Sequence, residues 1–404
     1  MDFTLTPEEE VMREGWEEFF AAEEKNAPEG WMGGILPMFE TDEGWNWHRQ
    51  VAKKLGEKGW LSLAWSKKYG GQELGFIAQL IFSEIRSYHR VPGVDIWGTQ
   101  IVAGSLLEYG SEDVKQRWLP GIASGDINWC QGWSEPDAGS DLASLKTRAV
   151  EDGDDYVING QKIWTSGAHR ADHIFFLART DPEAPKKHRG LTYFLSSLDK
   201  PGITINPLIY MHGGHDYNEV FFDNFRVSKR DIVGEVNQGW YVTMAGINFE
   251  RSMVGTISEA RRDLEDLIAY CRETSRGGQS LASIPWIRHR LADLAIQSEA
   301  ARQWAYYVAW LQTKHAPAAE IARAASASKY FSTEMDVRLG NAGVETMGLY
   351  GTLKKDSKWA PLYGKFEYKC QATLGLTIAA GTTETMYNII AWMGLGLPRP
   401  AGQK

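Results

Sequence analysis

Two short segments carry the side chains with the clearest chemical use. Residues 130–141 read Cys-Gln-Gly-Trp-Ser-Glu-Pro-Asp-Ala-Gly-Ser-Asp, and residues 162–167 read Lys-Ile-Trp-Thr-Ser-Gly. Hydroxyls, small residues and backbone amides on strand ends and turns can hydrogen-bond a polar ring, and a tryptophan can cover one face of a flat cofactor. Taken alone, each segment could equally be a Gly/Ser/Asp loop that caps a strand, with Trp164 in the core.

Taken together, in this order and at this spacing, the two segments resemble the flavin-binding part of the acyl-CoA dehydrogenase family. The resemblance extends over essentially the whole chain and implies FAD as the cofactor. It aligns Ser134 and Ser166 with residues that hydrogen-bond the flavin near N5 and its carbonyls, and Trp164 with an aromatic residue packed against the ring. The other matched positions line the ring or contact a pyrophosphate or substrate phosphate: Gln131, Trp133 and Ser140.

The family's reaction needs a carboxylate that removes the Cα proton of an acyl-CoA thioester while the flavin N5 accepts a hydride from Cβ. The commonest family pattern has this glutamate near the C-terminus, where this chain has Ala380. The isovaleryl- and long-chain-type members carry it on an earlier helix, in a segment ending Glu-Arg, which Glu250 and Arg251 match. The resemblance therefore implies Glu250 as the base, with its pKa raised by burial, and Arg251 beside the substrate. A solvated helix carboxylate is the alternative for Glu250, and Glu384 is the second candidate base.

Ala380 keeps a function under this resemblance. In the family, the backbone N–H at this position helps to polarise the thioester carbonyl, and a backbone donor survives the loss of a side chain. The missing glutamate also leaves room beside Cα and Cβ, which favours branched, cyclic or otherwise substituted acyl groups.

A third group of residues aligns with positions that hold the nucleotide half of FAD, partly from a neighbouring subunit: Arg276, Glu345, Gly348, Thr382 and Glu384. Glu345 stands where the family usually has glutamine, and a carboxylate at close range would repel a pyrophosphate. The aromatic residue and glycine that normally follow Arg276 are absent, so an exposed surface arginine is its alternative.

One further cluster could suggest a metal. His212 and His215 flank two glycines, with Asp216 adjacent, but this spacing is weak evidence for a metal site. We predict no metal here, and a loop near the substrate entrance.

Around these segments the pattern predicts a mainly α fold with a central β-barrel domain. The expected order is an N-terminal helical domain (1–125), a middle β-barrel domain (126–235) and a C-terminal four-helix bundle (236–404). The periodicity of apolar residues predicts helices over 45–59, 76–89, 98–108, 241–274, 284–314, 318–349 and 366–394. Strands are predicted over 173–180, 191–198, 202–209 and 218–227, and a tight hairpin with Asn159-Gly160 at its turn.

Bulk composition narrows the class of protein. The chain has 404 residues and a net charge of −9, which argues against nucleic acid as the main partner. Its three cysteines form no metal or disulfide pattern, and we expect a reducing, cytoplasmic location. No apolar run is long enough for a membrane span, and no signal peptide is recognisable.

The leading interpretation is an acyl-CoA dehydrogenase that forms an α,β double bond in an acyl-CoA and passes electrons to an electron-transferring flavoprotein. We expect it to act as a homotetramer or heterotetramer. Two alternatives remain open. One is an acyl-CoA oxidase or flavin monooxygenase of the same fold, and the other is a non-catalytic subunit of a heteromeric dehydrogenase.

Overall fold

A computed structural model of the chain describes residues 3–34, 36–247 and 253–399. The α-helices are α1 (Pro7–Glu23), α2 (Pro37–Glu40), α3 (Asp42–Glu57), α4 (Phe76–Tyr88), α5 (Ala103–Tyr109), α6 (Glu112–Ala123), α7 (Gly239–Ile247), α8 (Val254–Glu273), α9 (Pro285–Thr313), α10 (Ala318–Met347), α11 (Lys365–Ile378) and α12 (Thr383–Ile389). The β-strands are β1 (Trp129–Gly132), β2 (Arg148–Asp152), β3 (Asp155–Lys162), β4 (His173–Arg179), β5 (Leu191–Ser197), β6 (Ile203–Leu208), β7 (Tyr217–Ser228), β8 (Ile232–Val233), β9 (Ser275–Arg276) and β10 (Gln279–Ser280). The predicted order of helices, strands and helices is confirmed.

The chain forms two compact units. A helical unit draws on the described residues within 1–34, 75–91 and 251–404, and a unit that contains the main sheet draws on those within 35–74 and 92–250. The division into three domains at 125 and 235 stays a prediction. No helix in the described ranges combines the length and apolar character needed to cross a membrane.

In the helical unit, α8, α9, α10 and α11 pack around a core of small and branched side chains. Leu264, Ala301, Leu339 and Phe366 are each at most 4% exposed within it. Small residues let these helices approach closely, and Gly343 faces the Phe366 ring without room for a Cβ. The helices predicted over 284–314 and 318–349 are therefore present as the two long members of this bundle.

Two other predicted helices are interrupted. The stretch 241–274 was expected to be one helix, but Met253 has a φ of +54° immediately before α8, which no right-handed helix can contain. The stretch 366–394 is divided between α11 and α12 because Ala380 and Gly381 have φ angles of +54° and +91°. Helical periodicity continues across both breaks, so apolar spacing alone did not reveal them.

The main sheet joins eight strands in the order β6-β7-β3-β2-β4-β5-β8, with β1 pairing parallel to β4. Among the described residues β6 and β8 form its two ends, and the strand pairs do not close it into the expected barrel. Alternate residues of the central strands face different cores, as the two-residue repeat requires. Phe176 and Phe194 lie in one core and Phe175 and Tyr193 in the other, and all four are fully buried.

The predicted hairpin at Asn159-Gly160 is wrong. β3 continues through both residues, with a register shift against β7 between Ile158 and Gly160, and the turn between β2 and β3 lies at Gly153, with a φ of +63°. Gly160 is needed for close packing, since a Cβ there would lie 2.5 Å from the Thr147 Oγ1. The Asn159 side chain accepts the Asn224 N–H at 2.9 Å, so neither residue serves a turn.

Candidate functional site

The sheet brings the two chemically suggestive segments together. β1 ends at Gly132 and is followed by Trp133 and Ser134, while β3 ends two residues before Trp164. The Ile163 N–H donates to the Ser134 carbonyl oxygen at 2.9 Å, which joins the segments directly. Residues separated by about thirty positions in sequence thus share one end of the sheet.

Trp164 holds an unusual backbone conformation in this loop. Its φ is +61°, a region that bulky residues rarely occupy, and its side chain is 50% exposed. The next residue, Thr165, exchanges two backbone hydrogen bonds with Asn218 at 3.0 and 3.1 Å, and the Asn218 Nδ2 donates to the Thr165 carbonyl at 3.1 Å. The neighbouring contacts fix the loop, so that Trp164 stays at the surface and Ser166 partly exposed.

A buried ion pair lies beneath the same loop. The Lys162 ammonium, fully buried, contacts the Glu135 carboxylate at 2.7 Å, and Glu135 also accepts N–H groups from Lys146 and Thr147 at 2.5 and 2.9 Å. Burial lowers the pKa of Lys162 to about 8. Burial alone would raise the pKa of Glu135, but the Lys162 ammonium and the hydrogen bonds outweigh it and lower that pKa. The pair therefore stays ionised at neutral pH and ties the residue after Ser134 to the strand that leads to Trp164.

The turn after Glu135 is regular despite an unexpected residue. Glu135 and Ala138 exchange two backbone hydrogen bonds at 3.0 and 3.1 Å, and Asp137 at the tip pairs with Lys146 at 3.0 Å. Ser140, predicted to contact a phosphate, follows as an exposed residue.

A cation, Lys187, pairs with Asp141, the residue that follows Ser140 in the chain. The Lys187 ammonium donates to Asp141 at 3.1 Å and to Ser144 at 2.6 Å. This positive charge suits the predicted phosphate contact.

The polar atoms of this loop fit a flat, hydrogen-bonding cofactor. The Trp133 Nε1 and the Thr165 Oγ1 are buried and have no hydrogen-bond partner among the described residues. A buried donor without a partner is costly, and a ligand carbonyl or ring nitrogen would satisfy it. Ser134 and Ser166 are partly exposed.

In the helical unit, the predicted backbone donor Ala380 lies in the loop between α11 and α12. Ala380 is exposed, and its N–H donates to no backbone carbonyl in the part of the chain described here. Thr382 begins α12 as its N-cap by accepting the Thr385 N–H at 3.2 Å, and Glu384 lies in the first turn. Backbone hydrogen bonds at this helix start lower the pKa of Glu384.

The structure gathers the other predicted nucleotide contacts at the C-terminal end of α10. Arg276 donates from its Nη2 to the Thr346 carbonyl at 2.8 Å, and Gly348 ends the helix with a φ of +63° beside the same guanidinium. Glu345 pairs with Arg290 at 2.7 Å. Both charged residues thus have partners within their own chain, so an intermolecular contact to a nucleotide would have to compete with these.

The predicted base Glu250 and its neighbour Arg251 lie outside the described residues. Their assignment stays a prediction.

The histidine loop contributes to a cluster of three possible metal ligands, which the sequence spacing did not indicate. Glu40, His212 and Asp216 place one ligand atom each within 4.8 Å of one another, close enough to surround an ion. The His212 Nδ1 accepts the Gly214 N–H at 3.0 Å, and the His212 Nε2 lies 2.7 Å from an Asp216 oxygen. The role of this loop stays a prediction.

Some functional neighbours were not foreseen. The Lys162–Glu135 pair, Asn218 and Lys187 were absent from the predicted site although each contacts it. Glu135 and Lys162 belong to the two quoted segments, and two opposite charges beside predicted cofactor residues were a usable signal. Asn218 and Lys187 offered no comparable signal, because their contacts cross long stretches of sequence.

Comparison with known proteins adds independent findings. Three family models match in sequence order: the N-terminal domain of acyl-CoA dehydrogenase over residues 6–126, the middle domain over 130–225 and the C-terminal domain over 237–394. Acyl-CoA dehydrogenase FadE26 of Mycobacterium tuberculosis is 34% identical over 99% of both chains, and acyl-CoA dehydrogenase IpdE1 of the same organism is 36% identical over 90% of both.

Solved structures agree. The ChsE4–ChsE5 complex from Mycobacterium tuberculosis matches with a TM-score of 0.87 at 32% identity, covering 99% of this chain and 100% of the other. A structure described as the Tcur3481–Tcur3483 steroid ACAD matches with a TM-score of 0.87 at 31% identity and the same coverage.

Proposed function

This chain belongs to the acyl-CoA dehydrogenase family of flavoprotein oxidoreductases, and on that premise we propose that it desaturates the α,β bond of a cyclic acyl-CoA with FAD as cofactor. The observation that carries the proposal is the Ile163–Ser134 hydrogen bond, which joins the two segments aligned with the flavin site. The orphaned polar atoms of Trp133 and Thr165 beside that junction support a bound polar ring.

Each of the predicted site residues has a separate role in the proposed reaction. FAD, when bound, supplies the acceptor for the hydride that leaves Cβ. Ser134 and Ser166 would hold it by their hydroxyls, and Trp164 would cover it. The Glu250 carboxylate takes the Cα proton, and the Ala380 N–H donates to the thioester oxygen as negative charge develops there.

The substrate proposal rests on two independent supports. Alanine at position 380 leaves space that a glutamate would fill, and relatives over 30% identical include one described as a steroid ACAD. We infer a ring-bearing, steroid-like acyl group. A panel of CoA thioesters with straight, methyl-branched and ring-bearing acyl groups tests this by anaerobic flavin bleaching. Faster bleaching by straight chains than by rings would refute it.

Replacement of the base tests the reaction itself. Glu250→Gln keeps the size of the side chain but cannot accept a proton, so flavin reduction should slow by at least about 10²–10⁴-fold with FAD content unchanged. Glu384→Gln is the matched control and should retain most of the rate. If Glu384→Gln loses the activity and Glu250→Gln keeps it, the base is Glu384 and not Glu250. If both variants and the wild type are equally inert with bound FAD, the chain is a non-catalytic subunit.

We further propose an electron-transferring flavoprotein as the electron acceptor. Stopped-flow reduction under nitrogen, followed by mixing with air, separates this from the oxidase alternative. Reoxidation within the time of one turnover would support an oxidase instead.

We also propose that a second, non-identical subunit completes the assembly. The ChsE4–ChsE5 relative is a complex of two chains. Many of the exposed large apolar side chains of this protein lie in its last sixty residues, among them Leu349, Trp359 and Ile378 at 88%, 65% and 66% exposure. The engagement of Arg276 and Glu345 within the chain weakens the contacts that an identical partner would make to a nucleotide.

Light scattering and flavin stoichiometry test the assembly. The chain expressed alone should fail to give a tetramer with one FAD per 45.4 kDa subunit. A stable homotetramer with full flavin occupancy would rule out the heteromeric proposal and leave the reaction unaffected.

A further inference from the structure

Lys329 is a buried cation with an unusual set of partners. It lies on α10 with 5% of its surface exposed, and its Nζ donates to the Gly381 carbonyl oxygen at 2.7 Å. The Thr377 carbonyl lies 3.5 Å from the same atom. No carboxylate in the described residues forms an ion pair with it. A buried ammonium normally requires a negative charge nearby. Lys329 donates instead to two backbone carbonyls, which indicates that it fixes the positions of those carbonyls.

The two carbonyls lie on either side of Ala380. Thr377 is in the last turn of α11, which ends with the Ala379 N–H donating to the Gly375 carbonyl at 2.8 Å. Ala380 and Gly381 then take two successive left-handed conformations, which an alanine rarely adopts without support from its surroundings. Lys329 bridges this irregular stretch from one side to the other.

A second residue of α10, Glu334, contacts the same loop at a later position. The Glu334 Oε1 accepts the Thr383 hydroxyl at 3.0 Å, at the start of α12. The loop that presents the Ala380 N–H is therefore attached to one rigid helix at Gly381 and at Thr383. An amide held in this way keeps its direction when a ligand binds, which is the condition for effective stabilisation of a developing oxyanion.

We propose that Lys329 is a positioning residue for the Ala380 amide, setting the direction in which this N–H meets the thioester carbonyl of the substrate. The proposal rests on the proposed function, because it assigns Lys329 a part in polarising that carbonyl. Lys329 touches neither substrate nor cofactor in this account, and acts only through the Gly381 peptide.

The charge state of Lys329 gives the proposal a pH signature. Burial lowers the pKa of Lys329 to about 8, against the opposing effect of the carboxylates of Glu334 on its own helix and Glu384 on α12. Below this pKa the ammonium makes a charge-assisted hydrogen bond, and above it the neutral amine makes a weaker one. Turnover limited by carbonyl polarisation should therefore fall as pH rises through about 8 to 9.

The test compares Lys329→Met, which has no hydrogen-bond donor, with Lys329→Gln, which keeps a neutral donor. Lys354→Met, at an exposed lysine, is the matched control. The first readout is hydrogen exchange of the 379–383 backbone in the protein without substrate. Exchange there should rise in Lys329→Met, rise less in Lys329→Gln and stay unchanged in the control.

The second readout is spectroscopic. An aryl-substituted α,β-unsaturated CoA thioester absorbs at longer wavelength when its carbonyl is polarised by hydrogen bonds. The shift on binding should shrink by half or more in Lys329→Met, and kcat should fall about 10²-fold, with FAD content retained. The fall in turnover that the wild type should show as pH rises through about 8 should be absent in this variant.

Two results separate the possible failures. If Lys329→Met matches the Lys354→Met control in loop exchange and in the spectral shift, the positioning role is refuted. If the wild type holds FAD but no CoA thioester shifts or bleaches it, the proposed function fails, and the role of Lys329 in catalysis fails with it. This second result is seen in the wild-type sample alone, before any variant is compared.

Discussion

Removal of the Lys162 ammonium is the sharpest test of the idea that the two segments form one site. Lys162→Met keeps a long apolar side chain but leaves the Glu135 carboxylate buried without its cation, from which it is separated by 2.7 Å in the wild type. Loss of one partner of a buried ion pair costs about 3–5 kcal/mol of unfolding free energy. Glu135 keeps two backbone N–H donors, from Lys146 and Thr147, so we expect a loss near the lower end, about 3 kcal/mol.

A neighbouring ion pair provides the control. Lys146 contacts Asp137 at 3.0 Å, but both side chains are about three-quarters exposed. Such surface pairs contribute about 0–1 kcal/mol, so Lys146→Met should shift the urea midpoint little. Urea unfolding followed by tryptophan fluorescence at pH 7.5 measures both variants. If Lys162→Met costs no more than Lys146→Met, the pair does not hold the two segments together.

The pH dependence of the same variant has a definite sign. In the wild type the lowered pKa of Glu135 means that its contribution is present above the ordinary carboxyl pKa and is lost as pH falls through the folded value. Without Lys162, burial raises the pKa of Glu135, and the variant gains stability as Glu135 takes up a proton. The difference between wild type and Lys162→Met should therefore shrink as pH falls from 7.5 to about 5. A difference that grows over this range would contradict the assignment.

Three glycine substitutions, one of them a control, test close packing at the site and away from it. Gly167 has a φ of +64°, and a Cβ there would lie 2.3 Å from the Phe39 ring, so Gly167→Ala should cost about 2–4 kcal/mol and lower the FAD content. Gly139→Ala, where a Cβ would meet nothing within 4 Å, should change neither. In the helical bundle, Gly343→Ala would bring a Cβ to 2.0 Å from Phe366, and we expect about 1–3 kcal/mol of destabilisation in urea, without the loss of FAD expected for Gly167→Ala. Equal FAD loss in Gly167→Ala and Gly343→Ala would show that the FAD content reports only the global stability of the protein.

Local signals in the sequence predicted local structure well. An example is the start of α1, where Thr6 and Glu9, a Thr-x-x-Glu pattern typical of a capping box, form its two hydrogen bonds at 2.8 and 3.2 Å. The long helices and most strands follow from apolar periodicity in the same way. The failures arise where a distant contact decides the backbone. Asn159-Gly160 reads as a turn, but the close approach of Thr147 requires the glycine inside a strand.

The same distinction applies to the site. Ser134, Trp164 and Ser166 could be nominated because side-chain type and spacing are visible in a sequence. The pairing of Glu135 with Lys162, or of Lys329 with the carbonyl of Gly381, spans 27 and 52 positions and follows no helical or strand period. Nothing in the spacing distinguishes Lys329 from a lysine on the exposed face of a helix, and only its burial and its partners do.

Several of the atoms proposed to act at the acyl group and at the flavin site are backbone atoms, which every residue has. The Ser134 carbonyl joins the two segments, the Ala380 N–H is the proposed donor to the thioester, and the Gly381 carbonyl is the point at which Lys329 holds that donor. Because a backbone amide has the same chemistry at any position, its usefulness depends wholly on direction, and direction is set by neighbours. A family member can therefore lose the glutamate at position 380 and keep an oxyanion donor there, provided that the residues holding the loop remain. Substitutions of Lys329 and Glu334 should accordingly affect polarisation of the carbonyl more than substitution of the Ala380 side chain by another small residue.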